Sequence, residues 1–104
     1  MSYEITQECL SAYLIRLREE EKSPHTIQKY FRDVKAFGNF ADGDFSGKET
    51  VLRWKERLNR NYKPRSVNSM LASLNHFFSF MGWERLRVRM FRIQEEIYER
   101  EERE

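Results

Sequence analysis

One cysteine, two prolines and four glycines are all that this 104-residue chain has of the residues that staple, break or turn a backbone. With Cys9 alone no intramolecular disulfide can form, so a reducing compartment is the natural setting. So little glycine and proline disfavours a many-turned β protein. No apolar run approaches the ~18 residues that a membrane span requires. The stretch from Met1 to Leu10 lacks the basic-then-apolar design of a signal peptide. The expectation is a soluble, cytoplasmic protein with no membrane partner. Gly-rich phosphate loops, a Ser/His/Asp set and paired carboxylates are missing too, so no covalent chemistry, cofactor or small-molecule substrate is expected. His25 and His76 stand far apart with no second Cys or His near either, which argues against zinc. Cys9 reads as a half-buried, inert thiol, because nothing near it in sequence would lower its pKa.

Aromatics supply 14% of the residues and charged side chains 35%, a mixture that excludes a disordered polar chain and suits one helical domain with its own core. The net charge of +2 is small, but it is unevenly spread. Residues 1–21 balance to −3, residues 22–65 to +6, and residues 66–104 to −1. Within the last stretch, Glu84 to Ile93 carries +3 and Gln94 to Glu104 carries −4. A basic middle between acidic ends can orient a protein on a polyanion; equally, the lysines and arginines can simply solvate helix surfaces.

Period and punctuation predict four helices. The first runs from about Thr6, its N-cap, to Glu21, with Leu10, Tyr13, Leu14 and Leu17 as the apolar stripe. Ser23 as N-cap and Pro24 at the first helical position open the second, which buries Ile27, Tyr30, Phe31, Val34, Phe37 and Ala41 and ends at the 42–44 loop. Ser46 and Glu49 have capping-box spacing for a third helix to about Asn59, with Val51, Trp54 and Leu58 inward. Pro64 opens the fourth, which has the strongest helical period: Val67, Met70, Leu71, Leu74, Phe77, Phe78 and Met81, with Gly82 as its left-handed cap. Trp54 and Trp83 read as packing residues, and Phe77, Phe78 and Phe80 with Met81 read most simply as core, although Phe80 points away from the main stripe and could meet the tail or a partner chain. After Trp83 the pattern changes. Leu86, Val88 and Met90 alternate with Arg85, Arg87 and Arg89, which suits an extended edge, and Phe91, Glu95 and Tyr98 then fall at helical spacing.

The faces opposite the apolar stripes carry the functional reading. On the second helix His25, Lys29 and Arg32 share one strip, bordered by Thr26 and Gln28 and preceded by Lys22. On the fourth helix the opposite face reads Arg65, Asn68, Ser69, Ala72, Ser73 and His76, with Lys63 before it. Asn and Ser on such a face can bond base edges or phosphates, and helix beginnings offer N–H groups and a positive dipole end to phosphate. Two such beginnings side by side would straddle one groove of a duplex. A polar solvent face is also what any helical protein presents.

Two stretches resemble a known family. Ser23-Pro24-His25-Thr26-Ile27-Gln28-Lys29-Tyr30, with Val34, Phe37 and Phe40, resembles the second helix of the N-terminal SAM-like, core-binding domain of tyrosine recombinases, the phage integrase family. Lys63-Pro64-Arg65-Ser66-Val67-Asn68, followed by Leu71, Leu74, Phe77-Phe78 and Phe80-Met81, resembles that domain's fourth helix. The resemblance covers roughly residues 6–83, in the right order. It implies an all-α, four-helix SAM-like orthogonal bundle over residues 1–83, followed by an extended or partly helical linker, residues 84–104, toward a catalytic domain absent from this chain. It further implies a non-catalytic, DNA-binding half of a clamp around a recombination site, with other recombinase protomers as partners on the DNA. By position, the expected DNA-facing residues are Lys22, His25, Thr26, Lys29, Arg32, Lys63, Arg65, Asn68 and Ser69, with Arg65, Asn68 and Ser69 as candidates for base edges. The alternative function is a helical protein-interaction module without direct DNA binding, served by self-association through Leu86, Val88 and Met90. A helix-turn-helix repressor fits poorly, since the Asp42–Gly47 loop is long and no tight turn joins two short helices.

Overall fold

Thr6 converts an extended entry into a helix. Its hydroxyl accepts from the Cys9 amide at 3.1 Å, and its own amide donates to the Cys9 thiol at 3.2 Å, so two donors that a helix start leaves unpaired are satisfied reciprocally. Cys9 is half-buried, as expected, and its thiol works as a cap. The computed structural model describes residues 2–93. After Thr6 come α1 (Gln7–Glu19), α2 (Pro24–Ala41), α3 (Lys48–Asn61) and α4 (Pro64–Met81). The four-helix architecture read from the sequence is the one the chain adopts.

Two short strands complete the bundle: β1 (Tyr3–Glu4) runs antiparallel to β2 (Asp44–Phe45), with Tyr3 opposite Phe45. This pairing, together with the buried Phe45 ring, sets where the third helix begins. The expected Ser46/Glu49 capping box does not form. Gly47 is the N-cap, without any side-chain cap bond, and Ser46 stays exposed one residue outside. Ser23 caps α2 as expected, accepting from the Thr26 amide, with Pro24 in the first turn. Gly82 closes α4 with a φ of 76°, a left-handed conformation that costs glycine little.

The core is continuous across all four helices. Tyr13, Leu17, Val34, Phe37, Val51, Val67, Leu71, Phe77 and Phe78 are fully buried. α4 is central: α2 packs along it, α3 flanks it, and α1, packed on α2, reaches it through Tyr13 against Phe77 and His76. Trp54 meets Phe37 and Phe40, and Trp83 meets Tyr3, Phe77 and Phe78, so both tryptophans pack as expected. Phe80 takes the core reading rather than a contact with the tail or a partner chain. Its ring lies 5.3 Å from Tyr13 and beneath the Arg16 guanidinium at 5.2 Å, within the bundle and against α1.

Beyond α4 a single 3-10 turn (Glu84–Leu86) leads into extended backbone that turns back along the helix. The alternation is realised: Leu86 and Val88 enter the core while Arg85, Arg87 and Arg89 stay exposed. No strand pairs with this segment among the described residues; side-chain amides hold it instead. Asn75 donates to and accepts from the Val88 backbone, both at 2.9 Å, and Asn68 does the same for Phe91 at 2.8 and 2.7 Å. Because Leu86 and Val88 belong to the core, self-association through Leu86, Val88 and Met90 loses two of its three contacts. The expected helical turn through Glu95 and Tyr98 lies outside the described residues.

Candidate nucleic-acid interface

α2 and α4 meet side by side near their beginnings because a polar network sits between them. The Lys29 ammonium donates to Asp33 Oδ2 at 2.7 Å, to the Ser69 carbonyl at 3.1 Å and to Ser73 Oγ at 3.2 Å. The Ser73 hydroxyl in turn donates to Asp33 at 2.8 Å. Asp33 is 8% exposed at its side chain, and Ser73 is fully buried. A carboxylate this deep requires a cation and donors, and here it has them.

This network corrects two expectations. Lys29 was expected on a solvated strip; its side chain is only 28% exposed and its charge is already matched by Asp33, so it joins two helices. The fourth helix was expected to show a polar solvent face through Ser73 and His76. Ser73 is instead covered by α2, and His76 is half-buried between α1 and α2. The reason is topological. A central helix is packed on several sides, so its polar residues must face partners of their own.

Asn68 is engaged as well: its amide donates to the Phe91 carbonyl and accepts from the Phe91 N–H, which uses one of its two N–H donors and one acceptor site of its oxygen. The other expected residues are distributed as follows. His25 and Arg32 are exposed on α2, with Arg32 74% exposed and 4.0 Å from Asp33 Oδ1. Thr26 is part of the Ser23 cap. Lys22 lies 3.8 Å from Glu20 and 5.8 Å from the Tyr30 ring centroid. Lys63, Arg65 and Ser69 are exposed along the start of α4. Arg65 and Ser69 are one turn apart, so the Lys29–Ser69 contact brings the Arg65 face of α4 beside α2.

A second network escaped the sequence reading. The buried Tyr13 hydroxyl meets His76 Nδ1 at 2.8 Å, and His76 Nε2 meets Glu20 Oε1 at 3.0 Å, tying α4 to the end of α1. Burial, and then the charges of Tyr30, Glu20 and Asp33, hold the Tyr13 phenol above its ordinary pKa. In both networks a polar residue lies in a helix face that periodicity assigns to solvent. The Lys29–Asp33 spacing of four is the one signal that could have revealed a pair.

Residues 1–93 hold seventeen basic and eleven acidic side chains, a balance of +6. Among the described residues no group of His, Cys, Asp and Glu is arranged to hold a metal ion, and no helix is long and apolar enough to cross a membrane. What remains at the α2/α4 beginnings is a set of exposed cations beside small polar residues, an arrangement that suits a polyanion. The family model of the phage integrase N-terminal SAM-like domain matches residues 10–85. No curated protein and no solved structure matches the chain.

Proposed function

The chain belongs to the phage integrase N-terminal SAM-like domain family, and from that premise we propose that it is a DNA-binding, core-binding domain of a tyrosine-type recombinase. In this reading it forms one half of a clamp on duplex DNA at a recombination site. Residues 84–104 lead toward a catalytic domain that supplies strand exchange, and further protomers assemble on the same DNA. Phosphate contacts provide most of the affinity, through Lys22, His25, Arg32, Lys63 and Arg65. Arg65 and the Ser69 hydroxyl are the candidates for base edges.

The observation that carries the reading is the 3.1 Å contact between Lys29 Nζ and the Ser69 carbonyl. It joins the two helix beginnings, so that the exposed cations of both can act on one ligand. Lys29 and Thr26 serve here as framework rather than as primary contacts.

A duplex mobility-shift titration with Arg32→Glu and Arg65→Glu tests the reading. Each variant should weaken binding at least tenfold while circular dichroism and thermal unfolding stay at the wild-type values. Wild-type affinity in both folded variants would exclude this face.

A further inference from the structure

A second cationic edge lies where α3 meets the extended segment. Lys55 donates to the Arg89 carbonyl, and its ammonium lies 4.6 Å from the centroid of the Phe91 ring. Lys48 stands on the same face of α3, two turns earlier. Arg89 sits between Val88 and Phe91, the two residues whose backbones Asn75 and Asn68 hold. The three cations therefore come from two elements whose relative placement is locked by hydrogen bonds.

Their crowding has an electrostatic trace. Burial, and then the charges of Lys48 and Arg89, lower the Lys55 pKa. No ion pair joins Lys48, Lys55 or Arg89 to a carboxylate among the described residues. A lysine aimed by a carbonyl and an aromatic face, beside two like charges, is a place where an anion relieves repulsion as it binds.

We propose that Lys48, Lys55 and Arg89 form a second phosphate-binding edge that takes the sugar–phosphate backbone of nucleic acid. The identity of the ligand rests on the DNA-binding reading above; the site itself does not. With contacts on both α3 and the extended segment, the domain grips the backbone at two places, and the Asn68 and Asn75 clamps keep the second grip in register with the first.

Two measurements on the full chain test this, with Lys55→Gln and Arg89→Gln as variants. Glutamine at 55 can still donate to the Arg89 carbonyl, and thermal unfolding confirms that each variant is folded. In the first, inorganic triphosphate is titrated while amide and Lys Nζ signals are followed by NMR. Saturable shifts centred on Lys48, Lys55 and Arg89, lost in Lys55→Gln, are expected. Shifts spread evenly over all exposed cations, no shift at all, or shifts that persist in Lys55→Gln would overturn the site. In the second, the salt dependence of duplex binding is compared, and the double variant should flatten the log–log slope by about 2, one unit per lost phosphate contact. An unchanged slope overturns the nucleic-acid assignment even if triphosphate binds. Triphosphate binding at Lys55 without any duplex binding by the wild type would uphold the site and reject DNA as its ligand, along with the reading of the α2/α4 face.

Discussion

Lys29 and Ser69 are forty positions apart in the chain, yet the lysine ammonium donates to the serine carbonyl at 3.1 Å and to Asp33 at 2.7 Å. One side chain thus neutralises a buried carboxylate and joins two helices. Removing Asp33 takes the countercharge from the partly buried Lys29 and leaves Lys29 and the Ser73 hydroxyl only the neutral Ser69 carbonyl as a shared acceptor. Asp33→Ala is expected to cost about 2–3 kcal/mol, less than a fully buried pair because Lys29 retains some solvent. Arg32→Ala, one residue earlier and exposed, should stay within about 0.5 kcal/mol. Urea denaturation of the two variants checks both figures, and equal midpoints would contradict the network.

The hydrogen bonds from Asn75 to Val88 are buried, whereas those from Asn68 to Phe91 are partly buried. Asn75→Ala strands one N–H and one C=O in the interior, at an expected cost of about 2–4 kcal/mol. Asn68→Ala should cost about 1 kcal/mol, since water can replace part of what is lost. Limited trypsin digestion gives a local readout, because cleavage after Arg87 and Arg89 requires the segment to leave the bundle. Asn75→Ala should be cut there faster than Asn68→Ala, and both faster than wild type; identical rates would contradict the clamp.

The contrast between those asparagines shows what the sequence can reveal. Apolar period alone locates all four helices and most of the core, because Leu10, Tyr13, Leu17, Val34, Phe37, Val51, Leu58, Val67, Leu71, Leu74, Phe77 and Phe78 repeat at helical spacing. Ser23, Pro24 and Gly82 mark helix ends through local backbone chemistry, which needs no tertiary context. Asn68, Ser73, Asn75 and His76 are different. Each is polar by type and sits on a helix that later proves to be central, so its partner lies between 13 and 63 positions away. No local rule points to such a partner. The third helix began one residue late for a related reason: a tertiary pairing, Tyr3 with Phe45, outweighed a local hydroxyl cap.

The buried Tyr13 phenol predicts a pH dependence with a definite sign. Its pKa in the folded chain is raised above the ordinary 10.0, first by burial and then by the charges of Tyr30, Glu20 and Asp33. Below about pH 10 the phenol is neutral in both states and its stabilising contribution is complete. Above that, the unfolded chain loses the proton first, so stability falls as pH rises. Tyr13→Phe should lack this part of the alkaline decline, while losing about 1 kcal/mol at neutral pH with the His76 hydrogen bond. Urea midpoints from pH 8 to 11.5 compare the two chains, and parallel curves would contradict the assignment.

Salt dependence of duplex binding tests the central claim, that the exposed cations around the joined α2 and α4 beginnings hold DNA by its phosphates. If about five phosphates are engaged at these beginnings, they contribute about −4.5 to the log–log slope, a roughly 500-fold fall in affinity between 50 and 200 mM salt, to which any contacts at the α3 edge add. Arg65→Gln should flatten that slope by about 1 and weaken binding across sequences. Duplex binding that is indifferent to salt, or a slope that Arg65→Gln leaves unchanged, would contradict it.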